Sequence, residues 1–114
     1  MAKILVVDDE RSIRNSMKEV LEFEGHVVTL AEDGETGLKE AEKEQFDLVF
    51  SDIKMPKMDG IELLAKMRQL QPSTKMILIS GHGTIETAVQ CMRNGAFDFI
   101  EKPMNLNRLL QAVK

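Results

Sequence analysis

The feature of this chain that most restricts its fold is a regular alternation between short apolar segments and longer amphipathic ones. The short segments are rich in β-branched and other apolar residues and predict strands at residues 3–7, 26–31, 47–51, 75–79 and 97–101. The first, third and fourth are apolar without polar alternation, which is typical of strands covered on both faces of a parallel sheet. We expect the more mixed second and fifth segments nearer the sheet edges.

The segments between the strands have the spacing of amphipathic helices. Their apolar positions, which we expect to face inward, are Ile13, Met17, Val20 and Leu21; Leu38 and Ala41; Leu63, Leu64, Met67 and Leu70; Ile85, Ala88, Val89 and Met92; and Leu106, Leu109, Leu110 and Val113. Gly25 and Gly95 predict helix ends, and Asp59 and Asn105 predict N-terminal caps. Strands alternating with helices predict an α/β fold with a doubly wound parallel sheet.

Length and composition fit one domain that covers residues 1–114. The 114 residues are 43% hydrophobic, enough for a core without disulfides, and the single Cys91 excludes an internal disulfide or a multi-cysteine metal site. No apolar run approaches the length of a membrane span, and the N-terminal run meets acids too soon for a signal peptide. The net charge is −4, with scattered Lys and Arg. We therefore expect a cytoplasmic domain that contacts neither membrane nor nucleic acid.

Polar side chains follow the strands at the points where these end. They are Asp8, Asp9 and Glu10 after the first strand, Asp52 after the third, Ser80 after the fourth and Lys102 after the fifth. Open parallel sheets bind ligands at this edge. Because crowded carboxylates repel one another, Asp8, Asp9 and Asp52 predict a site for a hard divalent cation, most plausibly Mg²⁺.

A carboxylate can also act as a nucleophile toward phosphorus and form an aspartyl-phosphate. Asp52 is the best candidate, since it ends the strand expected at the centre of the sheet. The Lys102 ammonium and the Ser80 hydroxyl can donate hydrogen bonds to oxygens of a transferring phosphoryl group.

With these residues in place, the chain resembles a bacterial response-regulator receiver domain from end to end. The matching segments are ILVVDDE at 4–10, DLVFSDIKMPKMDG at 47–60, ILISGHG at 77–83 and GAFDFIEKP at 95–103. Residues 80–88 and 97–103 are similar to receivers of nitrogen-regulation-type transcription activators, which work with an alternative-sigma-factor polymerase. The resemblance implies a flavodoxin-like (βα)5 fold with strand order 2-1-3-4-5.

The resemblance also implies a role for each matching residue. Asp52 would be the phosphoacceptor, and the cation, Mg²⁺ or Mn²⁺, would be bound directly by Asp9, through water by Asp8, and by the backbone carbonyl of Lys54. The remaining roles would fall to Lys102 as the phosphate partner, Ser80 as the switch hydroxyl, Phe99 as the switch aromatic residue, Pro103 after a cis peptide bond, and Lys54 and His82 as modulators at the rim. A simple surface position is nearly as good an interpretation of His82.

The implied partners are a sensor histidine kinase and a second copy of the domain. Phosphorylation would reshape the face around the fourth helix, fifth strand and fifth helix, which would control dimerisation or an output module. ATPase and DNA-binding modules would belong to a longer parent protein, since these residues contain no GxxxxGK[ST] loop. We expect such a downstream region because the last helix lacks a stop signal. The domain would catalyse only its own phosphorylation and dephosphorylation, which is not enzyme turnover in the ordinary sense.

Two other functions are compatible with this type of fold. Mg²⁺-dependent aspartyl-phosphate phosphatases and phosphotransferases usually place a second acid two residues after the nucleophile, where this chain has Lys54. A protein-interaction module that is not phosphorylated would typically lose an acid or the lysine, and here all of them are present.

Overall fold

A computed structural model describes residues 1–81, 84–102 and 105–113 of the chain. This described part contains five strands that alternate with five helices. They are β1 (Lys3–Val7), α1 (Arg11–Phe23), β2 (Val27–Ala31), α2 (Gly34–Lys43), β3 (Leu48–Asp52), α3 (Gly60–Leu70), β4 (Lys75–Ser80), α4 (Ile85–Arg93), β5 (Asp98–Glu101) and α5 (Leu106–Ala112). Every strand boundary lies within one residue of its predicted position.

The strands form one parallel sheet in the order β2-β1-β3-β4-β5. This order confirms the predicted flavodoxin-like α/β topology, with β2 and β5 at the edges. All five residues of the central strand β3 are buried. The apolar, non-alternating strands therefore correctly indicated cover on both faces of the sheet.

Side chains from the two faces of the sheet form two core layers. One layer joins the sheet to α1 and α5 through Ile4, Val6, Phe50, Met17, Leu21 and Leu109, among others. The other joins it to α2, α3 and α4 through Leu5, Val7, Val49, Leu63, Leu64, Met67 and Cys91, among others. Both faces of the sheet are thus packed, and the polar residues begin at the carboxyl ends of its strands.

The helix ends follow the local sequence signals. The side chains of Asp59 and Asn105 accept hydrogen bonds from backbone N–H groups three residues later, as predicted for N-terminal caps. Gly25 and Gly95 have φ angles of 90° and 98° beyond the ends of α1 and α4, a conformation that favours glycine. In the described part of the chain, no helix has the length and apolar character needed to cross a membrane.

The prediction for α4 was wrong about which face is covered. Ile85, Val89 and Met92 are 85%, 42% and 48% exposed, and the helix is anchored through the fully buried Cys91. Leu70 at the end of α3 was also predicted to face inward and is 43% exposed. Helical spacing identifies residues that share a face, but it does not determine which of two partly apolar faces packs on the sheet. The α4 surface formed by Ile85, Val89 and Met92 is therefore an exposed apolar patch.

Candidate functional site

Neighbouring strands β1 and β3 bring three carboxylates together at one edge of the sheet. Val7 is paired with Ser51, so the chain continues from adjacent positions into Asp8 and Asp52. Asp8 is 1% and Asp52 6% exposed, whereas Asp9 is exposed to solvent. Carboxylate oxygens of Asp8, Asp9 and Asp52 all lie within 4.8 Å of one another. The structure thus groups the three acids that the strand ends predicted.

Lys102 bridges the two buried carboxylates. Its Nζ lies 3.3 Å from Asp8 Oδ2 and 3.4 Å from Asp52 Oδ2. Its backbone N–H donates to the carbonyl oxygen of Ser80 over 2.8 Å, which ties the end of β5 to the end of β4. The long lysine side chain can therefore reach from an edge strand, past β4, to the acids that follow β1 and β3.

The charges in this cluster shift the titration of its members. Burial raises the pKa of Asp52 above its ordinary value of 3.8, the charge of Asp8 raises it further, and Lys102 offsets this only in part. Burial acts to lower the pKa of Lys102, but the charges of Asp8 and Asp52 outweigh it and the pKa is raised. The ammonium group therefore stays charged at neutral pH, while ionised Asp52 is held in an unfavourable environment.

Asp52→Asn is expected to raise the melting temperature of the metal-free protein at neutral pH and to change it little in acid. A raised pKa means that the folded chain binds the Asp52 proton more tightly than the unfolded chain does. The resulting stabilisation is fully present below the unfolded pKa and is lost as the pH rises through the folded pKa. Asparagine does not ionise, so the Asp52→Asn variant does not lose this stability as the pH rises. Thermal unfolding followed by circular dichroism across this pH range measures the difference; a melting temperature below that of wild type at neutral pH would contradict the expectation.

The donor set fits a hard divalent cation. Three carboxylates face one ammonium group, so the cluster keeps an excess of negative charge even with Lys102 paired. All donors are oxygens, which Mg²⁺ and Mn²⁺ prefer, and exposure of Asp9 leaves room for the waters that Mg²⁺ retains. Asp8, Asp9 and Asp52 are thus the side chains that could hold the cation. Lys54 is exposed two residues after Asp52, and a contribution from its carbonyl stays a prediction.

Ser80 follows Ile79, the residue that pairs with Asp52, and Phe99 lies on the neighbouring strand β5. Ser80 ends β4 and is 5% exposed. Phe99 pairs with Leu78, two residues before Ser80, and packs against the core layer below α3 and α4. Their switch roles stay predictions. The predicted rim residue His82 and the predicted cis-proline Pro103 lie outside the described residues.

Sequence reasoning missed two residues that shape the site. Gly60 lies so close to Asp52 that a Cβ at position 60 would overlap the Asp52 carbonyl oxygen. The Arg14 guanidinium donates from Nη1 to the carbonyl oxygen of Asp8 over 2.7 Å. The sequence signals for Gly60 were its position after the cap Asp59 and its place at the end of the matching segment 47–60, to which no role was given. For Arg14 the signal was a cation near the N-terminus of a helix, where acids are favoured.

The chain is similar to known proteins over almost its whole length. The family model of the response regulator receiver domain matches residues 4–114. The nitrogen assimilation regulatory protein NtrX of Azorhizobium caulinodans is 42% identical over 109 residues, which cover 94% of this chain and 24% of NtrX. The chain thus spans about a quarter of the length of NtrX and of several other curated relatives.

Solved structures give the same result. A CheY-like response regulator receiver domain protein from Methanospirillum hungatei superposes with a TM-score of 0.94 at 41% identity, covering 99% of this chain and 90% of that chain. A response regulator protein from Burkholderia pseudomallei, with a phosphorylated aspartic acid, calcium ion and citrate, has a TM-score of 0.93 at 30% identity, covering 100% and 67%. The chain therefore belongs to the response regulator receiver domain family, and nitrogen-regulation-type transcriptional regulators are among its relatives.

Proposed function

We propose that this domain is a cytoplasmic switch in which Asp52 accepts a phosphoryl group from a sensor histidine kinase, with Mg²⁺ or Mn²⁺ bound. The observation that carries the proposal is the grouping of Asp52 with Asp8, Asp9 and Lys102. The three carboxylates lie within 4.8 Å of one another, and Lys102 lies 3.4 Å from Asp52. The Burkholderia pseudomallei relative with a phosphorylated aspartic acid and a calcium ion supports the same chemistry here.

In the transfer step, an Asp52 carboxylate oxygen attacks the phosphorus of a phosphohistidine. The new O–P bond forms as the P–N bond breaks, and the electron pair returns to the imidazole ring, which takes up a proton. The cation would be held by Asp8, Asp9 and Asp52, with the predicted Lys54 carbonyl, and would neutralise charge on the phosphoryl oxygens. Lys102 then changes partner: its ammonium group, now on two carboxylates, donates to a phosphoryl oxygen.

The added charge biases the domain between two packings. A phosphoryl group at Asp52 would attract the Ser80 hydroxyl, and the half-buried Phe99 would turn into the space that Ser80 vacates. Because the two residues are on neighbouring strands beneath α4, this exchange changes the face formed by α4, β5 and α5. His82 and Lys54 would modulate access to the phosphoryl group from the rim.

The changed face would bind a second copy of the domain, and through it control downstream ATPase and DNA-binding modules in a longer parent protein. The exposed patch of Ile85, Val89 and Met92 supports this use of α4. The domain, residues 1–114, would contact no nucleic acid itself. It would catalyse its own phosphorylation and dephosphorylation without turning over an external substrate.

Val89→Glu is expected to prevent phosphorylation-dependent dimerisation while leaving phosphoryl incorporation unchanged. A charge in the apolar patch must be desolvated when two copies meet. Val89 is exposed on the opposite side of α4 from the buried Cys91, so the substitution does not disturb the packing of the core. Sedimentation velocity before and after phosphorylation measures the dimer. Leu70→Glu, at an exposed position at the end of α3, is the matched control and should dimerise like wild type. Equal dimerisation of both variants would contradict the assignment.

The proposed function is tested by intact-mass spectrometry after incubation with acetyl phosphate. We expect one added phosphoryl group in the presence of Mg²⁺ and none when the cation is chelated. If no mass is added by acetyl phosphate or by a phosphorylated kinase, the switch is excluded. A gain that is independent of the cation would instead exclude the role proposed for the acidic cluster.

A further inference from the structure

Arg14 contacts the peptide bond that joins the two acids at the end of β1. Its Nη1 donates to the carbonyl oxygen of Asp8 over 2.7 Å. This carbonyl belongs to the peptide linking Asp8 to Asp9, so its orientation sets the direction in which the chain enters Asp9. Asp9 is exposed, so the backbone, more than side-chain packing, determines where its carboxylate points.

The other polar groups of Asp8 are already engaged. Its N–H donates to the carbonyl oxygen of Ala31 over 3.2 Å. Its Oδ1 accepts from the N–H of Glu10 over 2.9 Å, and its Oδ2 accepts from Lys102 over 3.3 Å. The Arg14 hydrogen bond completes this set and fixes the carbonyl, the group through which Asp8 and Asp9 are held relative to one another.

Helix stability alone does not account for an arginine at this place. Glu10, at the N-cap position of α1, makes no side-chain capping hydrogen bond, and the first turn of the helix contains no acidic residue. Arg11 and Arg14 instead put positive charge near the positive end of the helix dipole, which is unfavourable. A residue that is unfavourable for its own helix in this way is expected where it has a role in a functional site.

We propose that Arg14 is a positioning residue for the cation site: it holds the Asp8–Asp9 peptide so that both carboxylates face one divalent cation. This inference rests on the proposed function. Within the described part of the chain, Arg14 donates to a carbonyl oxygen and forms no ion pair with a carboxylate. It therefore orients the acids without pairing with the oxygens that would bind the cation. The planar guanidinium provides several donors in fixed directions, which a lysine ammonium does not.

The test is calorimetric titration of the metal-free domain with Mg²⁺, and with Mn²⁺ in a second series. Arg14→Met is expected to bind about tenfold more weakly than wild type, the lower range for loss of an outer-shell partner. Arg14→Lys should recover part of the affinity. Arg11→Met is the control: it makes the same charge change in the same turn, at an exposed position where Arg14 is half-buried, and should bind at least as tightly as wild type.

Whether Mg²⁺ affinity falls or rises in Arg14→Met distinguishes a positioning role of Arg14 from an effect of its charge. Removing a cation near three carboxylates should by itself tighten Mg²⁺ binding, so weaker binding in Arg14→Met requires a change in geometry. The Asp9 amide resonance in nuclear magnetic resonance spectra should move in Arg14→Met and stay near its position in Arg11→Met. If Arg14→Met fails to fold by circular dichroism, weaker binding of Arg14→Lys than of Arg11→Met is the expected result.

Two outcomes overturn the inference in distinguishable ways. If wild type binds the cation and both Arg14 variants bind as tightly as Arg11→Met, Arg14 is not a positioning residue and the proposed function is unaffected. If wild type binds neither Mg²⁺ nor Mn²⁺, the cation-dependent function fails and the inference fails with it.

Discussion

Asp52→Asn is expected to reduce phosphoryl incorporation to background while leaving the fold intact. Asparagine has nearly the size and shape of aspartate, but its amide lacks the anionic oxygen that would attack phosphorus. Asp52 is 6% exposed and its side chain faces Lys102, so the substitution removes a charge without opening a cavity. Intact-mass spectrometry with acetyl phosphate and Mg²⁺ measures the loss, and circular dichroism checks the fold.

Asp33→Asn is the control for this experiment. Asp33 caps α2 by accepting from the N–H of Thr36, and asparagine caps helices about as well. This variant should incorporate phosphoryl groups like wild type. Incorporation at the wild-type level in Asp52→Asn would mean that another residue is the acceptor.

Gly60→Ala is expected to lower the free energy of unfolding by about 2 kcal/mol and to slow phosphorylation. A Cβ at position 60 would overlap the carbonyl oxygen of Asp52 and lie 2.9 Å from Ile53 Cα. Both are backbone atoms, so relief requires β3 and α3 to move apart. Gly60 also donates its N–H to the carbonyl oxygen of Ile53 over 2.8 Å, and this contact would be strained. The shift would displace the acceptor carboxylate directly.

Urea unfolding followed by circular dichroism measures the change in the free energy of unfolding. Gly81→Ala is the matched control, because among the described residues the nearest atom to a Cβ there is in the Lys102 side chain, at 3.8 Å. It should unfold at nearly the same urea concentration as wild type. Equal midpoints for Gly60→Ala and Gly81→Ala would show that the backbone around Asp52 accommodates the methyl group easily.

The fold and the grouping of the acids could be predicted because both follow from simple rules. Apolar strands without alternation indicate a parallel sheet, and in such a sheet the residues that follow neighbouring strands meet at one edge. Asp8 and Asp52 come together for this reason. Lys102 is separated from Asp8 by most of the chain, yet its position after the fifth strand was enough to predict their proximity.

The properties that could not be predicted depend on orientation and close approach. The apolar spacing of α4 identified Ile85, Val89 and Met92 as one face. In the structure this face is exposed to solvent, and the helix packs on the core through Cys91. Gly60 is required by a backbone contact that exists only in three dimensions. Arg14 reaches a carbonyl six residues earlier, beyond the hydrogen bonds within the helix, so helix propensities contain no information about it.

The phosphoacceptor role of Asp52 is tested most sharply by identifying the residue that carries the phosphoryl group. An acyl phosphate is reduced by borohydride to an alcohol, so a phosphorylated aspartate becomes homoserine. Peptide mass spectrometry of the Mg²⁺-treated, acetyl-phosphate-treated and reduced protein then locates the modification. We expect homoserine at position 52 alone, and none when Mg²⁺ is chelated. Homoserine at position 8 or 9 with Asp52 unchanged would contradict it.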